Sequence, residues 1–429
     1  MTTCSTKISH PFFIAVKYLI VFLPAFVSFV IINKYAVNIP SQDDYDAVLK
    51  FLSLWKNAPA ADHLSLLFSQ QNEHRLLSSR IIYVLYDALT GGINFRNLIF
   101  IGNLQLLLIF LIFLVFIQKA LPRYWVTAGM VAGLCMFDLN NWENADFAMA
   151  SIQNYGVILL FVASLFFYSL KGWWYWLPAA FLQIICTFSS GNGIIASAFV
   201  VLFNILNIYR INYTGSKYPA TSMARLKVIA ATLIFLIFSP LYFYKYIHIP
   251  HPKLLAPIEM LAWFFKFAGH HIYYGNNTLA VIAGILALSA LAVILLYKFK
   301  AGLQGSMAPV ISCAGFILCS MAVTAVFRSC NADFISSRYL IYPHLLMALL
   351  IVSLLIKLNN RRTAMPAVFL ITIIMLASYN MNFRGGKKNM EILKTTLTTT
   401  DYYYPDKATA KNISDQSCRL KIYCIEENR

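Results

Sequence analysis

Long apolar runs separated by short polar connections dominate the chain. Windows of about 20 residues with almost no charge recur from one end to the other. That is the length an α-helix needs to cross a hydrocarbon core of ~30 Å. Eleven such spans are expected, at about 12–33, 97–117, 124–140, 155–170, 174–190, 192–209, 228–246, 277–297, 307–327, 338–356 and 364–380. The first run, PFFIAVKYLIVFLPAFVSFVII, is too long for the core of a cleavable signal, and no small-residue cleavage site follows it, so it reads as a retained helix. The apolar piece 81–90 follows Arg80, carries Asp87 and is too short to span, so it is expected to lie at the interface or insert partway. In SQDDYDAVLKFLSLW (41–55), Val48, Leu49, Leu52 and Trp55 recur at helical spacing, which predicts an amphipathic interfacial helix.

Composition agrees with this pattern. The chain is 59% hydrophobic and 12% charged, against about 25% charged in ordinary globular chains. The fold class expected is an all-α polytopic membrane protein. It has about eleven transmembrane helices, with interfacial helices in the first long loop (34–96). Residues 1–380 form the membrane domain, and 381–429 form a polar tail that is a small appended unit or a poorly ordered extension.

The net charge of +17 would suggest nucleic acid in a soluble protein, but here it has another source. With the N-terminus in the cytoplasm, Lys7, Lys119, Arg123, Lys171, Arg210, Lys217, Arg225, Lys227, Lys298, Lys300, Lys357, Arg361 and Arg362 all fall in cytoplasmic segments, as the positive-inside rule requires. No nucleic-acid partner is expected. All 17 acids fall on the other side or in the tail. Acids contribute little to orientation, so their one-sidedness points to polar chemistry on the outer face.

Five outer stretches could carry that chemistry. Asp43, Asp44 and Asp46 open the amphipathic segment. One acid suffices to cap a helix, and this stretch supplies three. In QNEHR (71–75), Asn72 is expected to cap a helix starting at Glu73, with Glu73, Leu77 and Arg80 on one face. Ionisable groups at a bilayer edge are costly without partners or a task, which marks Glu73, His74 and Arg75 as candidates. In SSGNGI (189–194), Gly191 and Gly193 permit a close turn around Asn192. In NNWENADF (140–147), Asn141, Glu143 and Asp146 form either a solvated loop or part of a site. In FRSCNADFISSRYLIYPH (327–344), Arg328 and Arg338 bracket a short connection ahead of Tyr339. Two guanidiniums at one mouth suit a phosphate, although interfacial snorkelling is the plainer reading.

His270 and His271 are adjacent and would point to different helix faces, so they read as interface polarity. Cys418 and Cys424 enclose CRLKIYC on the outward side, where a disulfide is expected. Cys135, Cys186, Cys313 and Cys319 read as small packing residues. No spaced Cys/His motif, phosphate-cradling glycine loop or GxSxG is present.

These residues resemble the polytopic glycosyltransferases of the GT-C superfamily, and among them the serotype-converting O-antigen glucosyltransferases of phages and enteric bacteria. The resemblance rests on Asp43 and Asp44 directly after the first span, NEHR (72–75), GNG (191–193) and SSRY (336–339). It covers most of the membrane part but not the tail. It implies transfer of a sugar, glucose in the closest analogy, from undecaprenyl phosphate to the O-antigen of lipopolysaccharide. The reaction would take place on the periplasmic face of the inner membrane with inversion at the anomeric carbon. Asp44 or Asp43 takes the role of base, Asp44 being preferred, with Glu73 beside it. Arg75, Arg328, Arg338 and His74 meet the donor phosphate, and Asn72, Asn192, Glu143 and Tyr339 contact substrate. Some members use a divalent metal, Mg or Mn, and others none, and no ligand set is evident here.

An O-antigen polymerase fits the same pathway but carries its large outer loop later in the chain. A lipid-linked sugar flippase would distribute polar residues through the depth of its spans, which are nearly charge-free here. A membrane acyltransferase would need donor-binding groups on the cytoplasmic side.

Overall fold

Within a bilayer the backbone finds no water, so each apolar run satisfies its own N–H and C=O groups by becoming a helix. The computed structural model describes residues 11–213, 222–249, 256–271, 276–300, 307–330, 335–358 and 364–425. Lys7, Lys217, Arg361 and Arg362 lie outside the described residues. Helix α1 (Pro11–Tyr35) leads into α2 (Phe51–Asn57), α3 (His63–Leu67), the two-residue strands β1 (Gln70–Gln71) and β2 (His74–Arg75), and α4 (Leu77–Thr90). Then come α5 (Phe95–Ala120), α6 (Trp125–Met136), the five-residue α7 (Trp142–Asp146), α8 (Ala148–Ser169), α9 (Trp176–Thr187), α10 (Gly191–Tyr213) and α11 (Ser222–Tyr242). The chain continues with α12 (Pro257–Gly269), α13 (Asn277–Lys300), α14 (Met307–Arg328), α15 (Ile341–Leu358), α16 (Ala364–Thr399) and α17 (Lys407–Arg419).

Among the described residues, eight helices are long and apolar enough to cross a membrane: α1, α5, α8, α10, α11, α13, α14 and the stretch Ser337–Lys357, which takes in all but the last residue of α15. Their outer faces are apolar. On α11, Leu226, Ile229, Leu233, Leu236 and Ile237 form an exposed row that water would not tolerate and lipid accepts. The chain is therefore an all-helical, membrane-embedded polytopic protein.

Three of the eleven expected spans take another form. The windows 124–140 and 174–190 become α6 and α9, each with 12 residues. At 1.5 Å per residue they are about 18 Å long, too short to cross alone. The window 364–380 is only the first part of the 36-residue α16. In addition, the outer segment 247–276 contains α12, which lies antiparallel against α13, with Gly269 against Ala280 and Gly284 against Phe265. Trp263, Lys266 and Phe267 of α12 are buried, so this helix enters the bundle and does not lie over it.

The connections 36–94 and 137–147 and the described residues 329–330 and 335–340 gather at one end of the bundle together with the tail, and the short turns around Lys119, Arg123 and Lys171 lie at the other. Every described acid except Glu259 is at the first end. Glu259 starts α12 and, because α12 runs antiparallel to α13, sits away from it.

Two apolar cores divide the molecule. One fills the bundle, around residues such as Phe110, Phe161, Phe316 and Leu346. The other lies at the acidic end and joins Tyr45, Val48, Leu49, Leu52 and Tyr83 to Met390, Ala410, Ile413, Ile422 and Tyr423. The tail is thus a packed part of the protein. It continues α16 without a break, and Gly386 is where α16 crosses the chain: a Cβ there would lie 2.1 Å from the Leu139 carbonyl. Cys418, in the last turn of α17, forms a disulfide with Cys424 beyond the helix. Gln42 N–H donates to Tyr403 O (2.8 Å), Ile93 N–H to Ile422 O (2.7 Å) and Tyr404 OH to Asp46 (2.5 Å), so the tail straps the first loop.

Candidate active site at the acidic end of the bundle

The site begins with a short helix. Helix α9 runs antiparallel to α8, with Ser164 Oγ on Ala179 O (3.0 Å) and Cys186 Sγ on Val157 O (3.6 Å). Cys186 therefore faces Val157, and α9 stops roughly two turns, ~12 Å, below the start of α8. The turn into α10 is closed tightly because Gly193 has no Cβ; one would sit 1.8 Å from Cys186 O. A depression results, with Ser190, Gly191 and Asn192 as its floor. It is a cavity of about 610 Å³, in the range of small-molecule sites.

One wall is a hairpin. The helix expected from Glu73 does not form. Gln70 pairs with Arg75 and Gln71 with His74, and the helical face expected for Glu73, Leu77 and Arg80 is absent because α4 starts only at Leu77. Asn72 occupies the turn at φ +48, a conformation asparagine tolerates. Arg75 is held beneath the hairpin: Nε donates to Tyr242 O (2.6 Å), and its two terminal nitrogens donate to Phe68 O and Tyr244 O. Arg80 likewise donates to Leu66 O (2.7 Å) and Ser69 Oγ (2.7 Å). These two arginines satisfy carbonyls of loop and helix ends and leave the cavity to others.

Four charged side chains line it. Arg328 reaches Glu73 Oε2 at 2.7 Å, and Arg338 reaches Asp43 Oδ2 at 3.3 Å. His74 sits between them. Its Nδ1 accepts from Gly191 N–H (3.4 Å), which places the neutral ring's proton on Nε2, 3.7 Å from Glu73. Burial lowers its pKa against the pull of Glu73, so the ring is neutral at pH 7. Asn192 donates to Tyr342 OH (2.6 Å) on the floor. Tyr339, Asn72 and Gln71 complete the lining near the charges.

The neighbouring acid is placed differently. Asp44 is 1% exposed, accepts Met149 N–H (2.9 Å) at the start of α8 and Ser41 N–H (3.0 Å), and does not line the cavity. Burial, outweighing these two bonds, pushes its pKa up to about 8.

NNWENADF is no solvated loop: Asn140, Asn141, Asn144 and Asp146 are buried. Burial also raises the Asp146 pKa, with Lys394 opposing. Glu143 stands behind the cavity wall, with Oε2 accepting from Ser336 Oγ (2.5 Å), Ser337 Oγ (2.9 Å) and Arg338 N–H (3.0 Å).

Of the residues singled out from sequence, the fold brings Asp43, Asn72, Glu73, His74, Asn192, Arg328, Arg338 and Tyr339 to one cavity, and turns Asp44, Arg75 and Glu143 away from it. Sequence reasoning misses Gln153, Asn154, Tyr242, Tyr246 and Tyr342, which also line it. Two amides at the head of an apolar run were a readable signal. The tyrosines were not, since interfacial belts carry the same residues for other reasons.

The rim is apolar where α11 and α14 flank α10: Phe243, Val323 and Phe327 line the cavity and are 57%, 39% and 41% exposed. Among the described residues no group of three or more His, Cys, Asp or Glu is arranged to hold a metal ion, and both cavity carboxylates face arginines. The described residues of the cavity do not fit a bound divalent metal. No family model matches the chain, and no curated protein matches it either.

Proposed function

We propose that the chain is a membrane glycosyltransferase that passes a sugar from a polyprenyl phosphate to a hydroxyl acceptor in this cavity. One observation carries the reading: two guanidiniums and two carboxylates face a single cavity of about 610 Å³ with an apolar rim. Arginine presents a planar fork that matches phosphate oxygens, and Arg328 ends α14 while Arg338 lies in the turn before α15, so together they can hold a phosphate from two sides. The amides of Gln71, Asn72, Gln153 and Asn154 suit sugar hydroxyls. The rim of Phe243, Val323 and Phe327 suits an isoprenoid tail lying in the membrane plane.

The chemistry follows from these groups. The acceptor oxygen attacks the anomeric carbon as the bond from that carbon to the phosphate oxygen breaks. The hydroxyl proton passes to Asp43, and the lipid phosphate leaves with an added negative charge that Arg328 and Arg338 stabilise. A single displacement inverts the anomeric centre. Asp43 takes the role of base because it faces the cavity while Asp44 does not. In the structure Arg338 holds Asp43 and Arg328 holds Glu73. A donor phosphate competes for both guanidiniums and releases the carboxylates. The resemblance noted from sequence supplies the specific partners: undecaprenyl-phosphate glucose as donor and O-antigen as acceptor, at the periplasmic face of the bacterial inner membrane.

The test has two parts. Structural analysis of lipopolysaccharide from a host with and without the gene should show loss of one branching sugar. Purified protein should release polyprenyl phosphate from a labelled sugar donor only when acceptor is present. A change in O-antigen chain length without loss of a branch would favour a polymerase and reject this reading.

A further inference from the structure

We infer that Glu143 is a positioning residue for Arg338, and that the pair Glu143–Asn144 fixes the arginine's main chain from both sides. This inference rests on the donor-phosphate reading above. Arg338 lies in the single 3₁₀ turn Ser337–Tyr339, a short element with few internal bonds to fix it. Its N–H donates to Glu143 Oε2 (3.0 Å), and its carbonyl accepts from Asn144 Nδ2 (2.6 Å). Asn154 reinforces the second contact by donating to Asn144 Oδ1 (2.8 Å). The Glu143 carboxylate also collects both preceding serine hydroxyls, while Glu143 N–H donates back to Ser337 Oγ (3.0 Å).

This network is reciprocal, spans some 195 positions of chain and ends on Arg338, the one charged residue of a turn whose Arg338 and Tyr339 both line the cavity. Glu143 itself is not part of the cavity lining. Its carboxylate caps the turn as an acid caps a helix N-terminus, and the charge-assisted bonds hold the guanidinium at the height of Asp43. A carboxylate spent on three donors of one short turn acts through that turn and not on a ligand.

The experiment is a steady-state double-mutant cycle on purified full-length protein with a labelled polyprenyl-phosphate sugar donor. Glu143→Ala should raise the donor KM roughly tenfold and leave the acceptor KM within about twofold. Glu143→Gln, which keeps a carbonyl acceptor for the Arg338 N–H, should recover part of the loss. In an Arg338→Ala background, Glu143→Ala should add almost nothing. If the two effects multiply, or if acceptor and donor KM rise together, Glu143 does not act through Arg338 and the inference is overturned. If Arg338→Ala itself leaves the donor KM unchanged, the donor-phosphate reading is what falls. If Arg338→Ala acts on the donor and both Glu143 variants do not, only the positioning role falls.

Discussion

Two adjacent acids have different surroundings. Asp43 faces the cavity beside Arg338, while Asp44 is buried and ties the start of α8 to the first loop. Asp43→Asn should lower kcat by ~10²–10⁴-fold, the usual worth of a general base, with little change in melting temperature. Asp44→Asn should keep most of the activity and act on stability; equal catalytic losses in the two variants would return the base assignment to Asp44. The pH dependence follows separately. Burial holds the Asp44 carboxyl at about 8 when folded, against 3.8 for the ordinary group, so the folded state keeps a proton that the unfolded state has released. Its stabilisation is complete below about pH 4, declines as pH rises and is gone above about pH 8. Melting temperatures in detergent should fall across that window, and Asp44→Asn should flatten the fall. An unchanged slope in the variant would assign it to other groups. Sequence could not separate these two acids. The turn depends on Gln42 at φ +44, held by the Tyr403 carbonyl from the far end of the chain, and no local pattern encodes that contact.

At the scale of elements, apolar periodicity found most of the spans because helix formation in lipid is dictated by hydrophobicity alone. It failed where tertiary contacts decide. QNEHR carries good capping residues, yet it forms a hairpin because Arg75 is worth more tying Phe68, Tyr242 and Tyr244 carbonyls together than on a helix face. The early ends of α6 and α9 were equally hidden, since Phe137-Asp138-Leu139-Asn140 and Phe188-Ser189-Ser190 mix apolar and polar residues as the ends of longer spans also do. The eight polar residues that meet in the cavity were individually visible as costly groups at a bilayer edge, whereas their grouping came from the fold. The mixed composition of the tail left open a small appended unit or a poorly ordered extension, and Ala410, Ile413, Ile422 and Tyr423 complete an apolar core with the first loop. The Cys418–Cys424 disulfide closes a short segment within that unit. Replacing both cysteines with serine should destabilise it by about 2 kcal/mol on chain-entropy grounds. Because the tail holds Gln42 and Asp46, kcat should fall while the bundle stays folded, as read by activity alongside helical circular dichroism. Full activity with a proteolytically opened tail would show that the strap does not position the site.

At the scale of the whole molecule, polarity is one-sided: acids, amides and arginines meet at one end and basic turns mark the other. That asymmetry suits a site served from the membrane plane on one face, and it makes orientation testable. Reporter fusions after residues 60 and 300 should report outside and inside respectively, and the reverse would move the proposed chemistry to the cytoplasm. Each cavity carboxylate is held by a guanidinium. On the proposed function a phosphate would claim both guanidiniums, which predicts an order of events: Asp43 is freed for an acceptor hydroxyl when Arg338 turns to the donor. Acceptor affinity, measured by calorimetry, should therefore rise at least about fivefold when polyprenyl phosphate without a sugar occupies the site, a coupling of ordinary allosteric size. By linkage, acceptor should tighten polyprenyl phosphate binding by the same factor. Arg338→Gln should erase the coupling and give the acceptor its tighter affinity with or without the lipid phosphate, because no guanidinium then masks Asp43. If acceptor binds equally well with and without the lipid phosphate, the two ion pairs are static supports and the order of addition is random.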